Sequence, residues 1–174
     1  DVCSSDLTQL KMSEKKSLGQ TIKSFNKTFW IASAMELFER WAWYGFFGLF
    51  GLYLVASTDE GGLGFNHIEK GSIMGNITAI LYLLPVFFGV IADRIGYKLS
   101  LTISYVVMIA GYYLMGEVST YWSVYMIFLM VAIGAAFFKP VASGIIARNT
   151  DETTGTMGFG IFYMMVNIGG FIGP

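Results

Sequence analysis

The chain has 174 residues, of which 55% are hydrophobic, 17% aromatic and only 13% charged, with a formal net charge of −1 and a mean hydropathy of +0.59. Soluble domains carry about 25% charged residues, so this composition excludes an ordinary water-soluble domain and describes an all-α or all-β integral membrane protein whose surroundings are the lipid bilayer. Near-neutral charge gives no electrostatic footprint for nucleic acid, and no such partner is expected.

In chain order, Asp1-Val2-Cys3-Ser4-Ser5-Asp6-Leu7 matches nothing downstream and back-translates readily to a run resembling a short-read sequencing adapter. Residues 1–7 are therefore expected to be foreign, with the native start at Met12; Cys3, the only cysteine, then carries no disulfide or thiol chemistry. Residues 12–28 read as a basic tail with Lys15, Lys16, Lys23 and Lys27, and no apolar signal-peptide core precedes the first span. Apolar runs follow at roughly 29–56, 71–92, 99–116, 122–147 and 158–174. They are continuous and lack the period-two alternation of a barrel strand, so five transmembrane helices are expected. Spanning a bilayer takes about 20 residues at about 1.5 Å each; the first and fourth runs exceed this, which predicts tilt or a kink. The fifth stops at Pro174 inside a helix, and with the foreign start this reads as a piece of a longer gene.

Charge sets the expected orientation. Lysines precede the first span, Asp59 and Glu60 fill the first loop, Arg94 and Lys98 the second, and Glu117 the third. The fourth loop is ambiguous, with Arg148 against Asp151 and Glu152. The positive-inside rule then puts the N-terminus in the cytoplasm of a cell whose inner membrane the chain crosses several times.

The first span contains the sharpest signal, Glu36-Leu37-Phe38-Glu39-Arg40. Charge at membrane depth costs at least a few kcal/mol per residue, so such groups are paired, face protein or water, and serve a function. At about 100° per residue, Glu36, Glu39 and Arg40 share one helix face, which Trp43 and Phe47 continue with Tyr44 at its edge. The alternative is a buried ion pair that only orients the helix.

Gly89-Val-Ile-Ala-Asp93-Arg94-Ile-Gly96-Tyr-Lys98 follows the second span, with Gly96 allowing a tight reversal. In the fourth span, Lys139-Pro140 couples an expected kink to a lysine too deep for an ordinary end anchor. Counting rise from the helix ends, Lys139 lies roughly 12 Å from the cytoplasmic face and Glu36 and Arg40 roughly 10 and 16 Å. One layer therefore holds all four charges, and a lysine–carboxylate pair there would titrate with its partner. Tyr82 in the second span and Asn167 in the fifth are polar groups that, taken alone, read equally well as packing or interhelical bonding. His67 falls in an outside loop, and no H-E-x-x-H or G-x-S-x-G pattern points to an enzyme.

The Gly89–Lys98 pattern resembles the gating loop between helices 2 and 3 of the major facilitator superfamily, with Tyr97 where a basic residue is usual. Glu36-x-x-Glu39-Arg40 followed by Trp43-Tyr44-Gly45, then Phe138-Lys139-Pro140, then Phe162-Tyr163-x-x-x-Asn167-x-Gly169, closely resembles the proton-dependent oligopeptide transporter family of that superfamily. The resemblance runs in order from about residue 23 onward. It implies two six-helix bundles around a central cavity, of which this all-α chain supplies the first five helices, leaving the N-terminal bundle incomplete and the C-terminal bundle as its missing partner. It also implies proton-coupled symport of di- and tripeptides, with small peptide and protons as partners and the proton gradient, not a cofactor, as driving force. Glu36, Glu39, Arg40 and Lys139 become the coupling set, and Arg40, Trp43, Tyr44, Tyr82, Lys139 and Asn167 the substrate contacts. Gly89, Asp93, Arg94, Gly96 and Lys98 become the gate. Two departures bear on cargo: the usual tyrosine pair is Trp43-Tyr44, and Phe47 replaces a basic residue. A non-peptide cargo such as a drug or anion stays open, as does a sensor that binds without transporting.

Overall fold

The computed structural model describes residues 18–174, so the expectations for residues 1–7, Cys3, Met12 and the first part of the 12–28 tail lie outside the described residues. The described chain is helical: a short α1 (Leu18–Ser24), then α2 (Lys27–Val55), α3 (His67–Ile95), α4 (Tyr97–Met115), α5 (Tyr121–Arg148) and α6 (Gly155–Ile172), with a single 3-10 turn at Thr58–Glu60. No strand occurs among the described residues. Helices α3 to α6 are each long and apolar enough to cross a membrane. Helix α2, with 29 residues, has the length, ~44 Å at 1.5 Å per residue; its four charged residues, Lys27, Glu36, Glu39 and Arg40, lower its hydropathy. The chain is a multi-pass membrane protein.

The helix ends are set by side chains. Asn26 Oδ1 accepts from the Phe29 amide at 2.9 Å and starts α2. At α3, the Asn66 side chain accepts from the amides of Ile68 and Glu69 while the Glu69 carboxylate accepts from the Asn66 amide, a reciprocal capping box. The box draws the polar turn His67-Ile-Glu-Lys into the helix, so α3 begins before the apolar run does, and His67 opens a helix instead of lying in a loop. Gly96, at φ 90° and ψ 148°, is the single residue between α3 and α4, in a conformation that glycine alone adopts readily.

Helix α5 is the centre of the bundle. It packs on α4, α3 and α2, while α6 packs along α2. Small residues allow this: a Cβ on Gly134 would stand 2.6 Å from Met108 Cγ and 3.1 Å from the Ser104 carbonyl, so α4 and α5 touch almost backbone to backbone. Ser104 Oγ donates to the Gly134 carbonyl at 2.7 Å across that contact. Interhelical bonds in membranes average about 0.6 kcal/mol, so Ser104→Ala is expected to lower stability by about that much in a thermal unfolding series, well below the effect of a clash in the same bundle. On α2, Trp43, Phe46, Phe47 and Phe50 all gather round Phe128 of α5, with ring centroids 4.9 to 6.5 Å away.

The loop before α6 is organised by Asp151. One of its carboxylate oxygens accepts from the Thr153 and Thr154 hydroxyls at 2.7 and 2.9 Å and from their amides at 2.9 and 2.8 Å. These bonds, the Thr153 hydroxyl first, pull the Asp151 pKa down from 3.8 to about 2 although the group is fully exposed. A depressed carboxylate contributes stability that is complete above its unfolded pKa and is lost as pH falls through the folded one. Carboxyl NMR of the folded protein is expected to place the Asp151 midpoint near 2, and Thr154→Val is expected to move it upward toward 3.8.

Candidate solute-binding site

The face of α2 that carries charge is turned inward. Glu36, Glu39 and Arg40 are all buried, at 4%, 5% and 5% exposure. The Arg40 guanidinium forks onto Glu39, with Nε to Oε2 at 2.5 Å and Nη2 to Oε1 at 2.6 Å, the strong bidentate form of this pair. Its Nε also lies 3.6 Å from Glu36 Oε1. Glu36 Oε2 is buried with no hydrogen-bond partner.

Glu36 and Arg40 of this triad border a cavity of about 420 Å³ between α2, α3, α5 and α6. Helix α2 contributes Glu36, Arg40, Trp43, Tyr44 and Phe47, and α3 contributes Thr78, Leu81 and Tyr82. Lys139 and Ser143 come from α5, and Phe162, Tyr163 and Val166 from α6. Lys139 has no carboxylate within salt-bridge distance among the described residues; its Nζ sits 4.8 Å above the Tyr82 ring, a cation–π contact. The expected lysine–carboxylate pair is therefore absent, and the cation is held at the wall by an aromatic face. Arg40 keeps a looser contact with Tyr44, at 6.0 Å from its ring centroid. Trp43 stacks on Phe47 at 5.6 Å, making the adjoining wall aromatic and apolar.

Of the residues marked by sequence, Glu36, Arg40, Trp43, Tyr44, Tyr82 and Lys139 meet at one cavity. Glu39 stands behind Arg40 and does not line it. Asn167 does not line it either. Its Nδ2 donates to the Tyr163 carbonyl one turn back at 2.9 Å, and it borders a separate shallow groove with Tyr163, Met164 and Phe171. Thr78 and Ser143 line the cavity without having been singled out, because a threonine or serine in an apolar helix carries no signal until its neighbours are known.

The second loop makes its own cluster at the other end of α3. Asp93 lies 3.8 Å from Arg148 and accepts from the Tyr97 hydroxyl at 3.1 Å, while Arg148 stacks 4.3 Å over the Tyr97 ring. Tyr97 thus joins the loop to the end of α5. Gly89 lies against Pro140, and Arg94 and Lys98 are exposed.

The major facilitator superfamily model matches residues 29–174. Among curated proteins, the chain is 27% identical over 143 residues to a Bacillus subtilis (strain 168) protein named uncharacterized transporter YclF, covering 80% of this chain and 29% of that one. It is 29% identical over 156 residues to dipeptide and tripeptide permease A of Escherichia coli (strain K12), covering 83% of this chain and 29% of the permease. It is 28% identical over 165 residues to dipeptide and tripeptide permease B of Aliivibrio fischeri (strain MJ11), covering 92% and 32%. The chain thus spans about three tenths of the length of these relatives, and no solved structure gives a significant match. A family model that runs from the start of α2 to the last residue, over helices packed round a charged cavity, establishes that the chain belongs to the major facilitator superfamily.

Proposed function

We propose that the chain is the N-terminal part of a proton-coupled symporter of di- and tripeptides in the inner membrane, with its N-terminus in the cytoplasm. The observation that carries this reading is a buried, partly unsatisfied carboxylate, Glu36, sharing one cavity with a lysine that no carboxylate among the described residues pairs with. The permease names of the relatives support peptide as cargo.

Counting Glu36, Glu39, Arg40 and Lys139 as ionised, the four charges sum to zero. A peptide carboxylate arriving at Lys139 brings one negative charge to this set while the peptide ammonium lies outside it, and a proton taken up by Glu36 restores the balance. Solute and proton therefore favour each other's presence through charge alone, and a bundle that reorients only when neutral moves both together. Arg40, already forked onto Glu39, serves as the fixed cation of the site; Lys139, held only by a ring, is the one free to move toward the solute. The Asp93–Arg148–Tyr97 cluster and Gly96 belong in this reading to the cytoplasmic gate.

The test is proton movement. Adding di-alanine to proteoliposomes of the full-length protein at equal pH on both sides is expected to make the external medium more alkaline as protons enter with peptide. Solute entry with no pH change would overturn coupling. A second reading keeps the fold but changes cargo to a non-peptide solute. The Trp43–Phe47 wall favours it, and failure of di-alanine to compete with such a solute would decide for it.

A further inference from the structure

From the cavity wall we infer that Thr78 is a solute-contacting residue that helps set specificity, its hydroxyl exchanging a hydrogen bond with the amide of a bound short peptide. This deepens the peptide reading and rests on it.

Hydroxyls inside helices commonly bond back to the carbonyl one turn earlier. Ser100, Thr102 and Ser143 do so here, onto Gly96, Lys98 and Lys139, each at 3.0 Å. Thr78 does not; its Oγ1 is buried and has no hydrogen-bond partner. A buried hydroxyl left unpaired is unfavourable, and native structures rarely keep one without a use. The second observation is its place. Thr78 lies one turn before Tyr82 on α3, and both line the cavity with Glu36, whose Oε2 is also buried and unpartnered. The residues that carry an unmet hydroxyl and an unmet carboxylate oxygen thus line the same space, beside a lysine without a carboxylate partner among the described residues. A short peptide fits that set: its carboxylate to Lys139 and its amide to Thr78. Leu81, Trp43 and Phe47 make part of the same wall apolar. A site with an unmet polar group disfavours solutes that cannot pair with it.

The experiment uses the purified full-length protein with di-alanine as probe, read by tryptophan fluorescence, since Trp43 lines the cavity, and by thermal unfolding. Thr78→Val keeps the shape and removes the hydroxyl. Its Kd for di-alanine is expected to rise about tenfold, the worth of one hydrogen bond, while the Tm without peptide stays level or rises because a buried unpaired group has gone. Thr78→Ser, which keeps the hydroxyl, is expected to bind nearly as the unaltered protein does. Unchanged affinity in Thr78→Val beside normal binding by the unaltered protein would overturn the role of Thr78 alone. Weakened binding with a fall in peptide-free Tm would also overturn it, marking a structural residue. No binding of di-alanine by the unaltered protein would overturn the peptide reading, and the role of Thr78 in peptide binding with it.

Discussion

Lys139→Ala in the full-length protein is expected to abolish uphill accumulation of solute, so that the internal concentration no longer exceeds the external one under an inward proton gradient. Lys139 is the only cation at the cavity wall with no carboxylate within salt-bridge distance among the described residues. Removing it leaves Glu36, Glu39 and Arg40 with a net negative charge, so an arriving carboxylate meets repulsion and proton uptake by Glu36 no longer follows solute arrival. Fold stability should change little. The ammonium contributes a cation–π contact with Tyr82, of about 0.5–1 kcal/mol at a partly wet site, while the packing around it on α5 is made by Ala135, Ala136, Phe138 and Ala142, which remain. Purified variant protein with near-normal Tm and no concentrative uptake is the expected pair of results. Undiminished uphill uptake would remove Lys139 from the coupling set.

The largest structural effect is expected from Gly169→Val. A Cβ at this position would stand 2.5 Å from the Leu37 carbonyl oxygen, 2.9 Å from Arg40 Cβ and 3.1 Å from the Trp41 amide nitrogen. Two of these three are backbone atoms of α2 and cannot swing aside. The helices must separate, and overpacking of this kind costs about 1–3 kcal/mol, more when backbone moves. The same displacement reaches Arg40, so the charged triad is disturbed with the packing. Gly160 is the internal control, since a Cβ there meets nothing within 4 Å. Thermal unfolding in detergent is expected to show a clearly lowered midpoint for Gly169→Val and a level or raised one for Gly160→Ala, alanine being the better helix former. Equal midpoints would mean that α2 and α6 are not packed as described.

Much of this site was legible because charge in an apolar helix has few explanations. The i, i+3, i+4 spacing of Glu36, Glu39 and Arg40 put them on one face, and rise per residue put Lys139 at the same depth; both follow from helix geometry alone. Partner choice was not legible. Glu39 takes both arms of the Arg40 fork, a choice of side-chain rotamers within α2, and Tyr82 takes the Lys139 ammonium, which depends on the relative rotation of α3 and α5. Asn167 shares the motif that marked it but turns its amide back on its own helix, because α6 presents Phe162, Tyr163 and Val166 to the cavity instead. Thr78 was invisible for the opposite reason: only burial without a partner distinguishes it from any other threonine in a membrane helix. The start of α3 escaped hydropathy because its first turn is polar and is held by the Asn66–Glu69 box.

The measurement that bears most directly on the account is uptake of labelled di-alanine into proteoliposomes containing the full-length protein, with and without an inward proton gradient. The account predicts accumulation above the external concentration when the gradient is present, and collapse to equilibrium when it is dissipated. Entry that ignores the gradient, or no entry by folded protein, would contradict it.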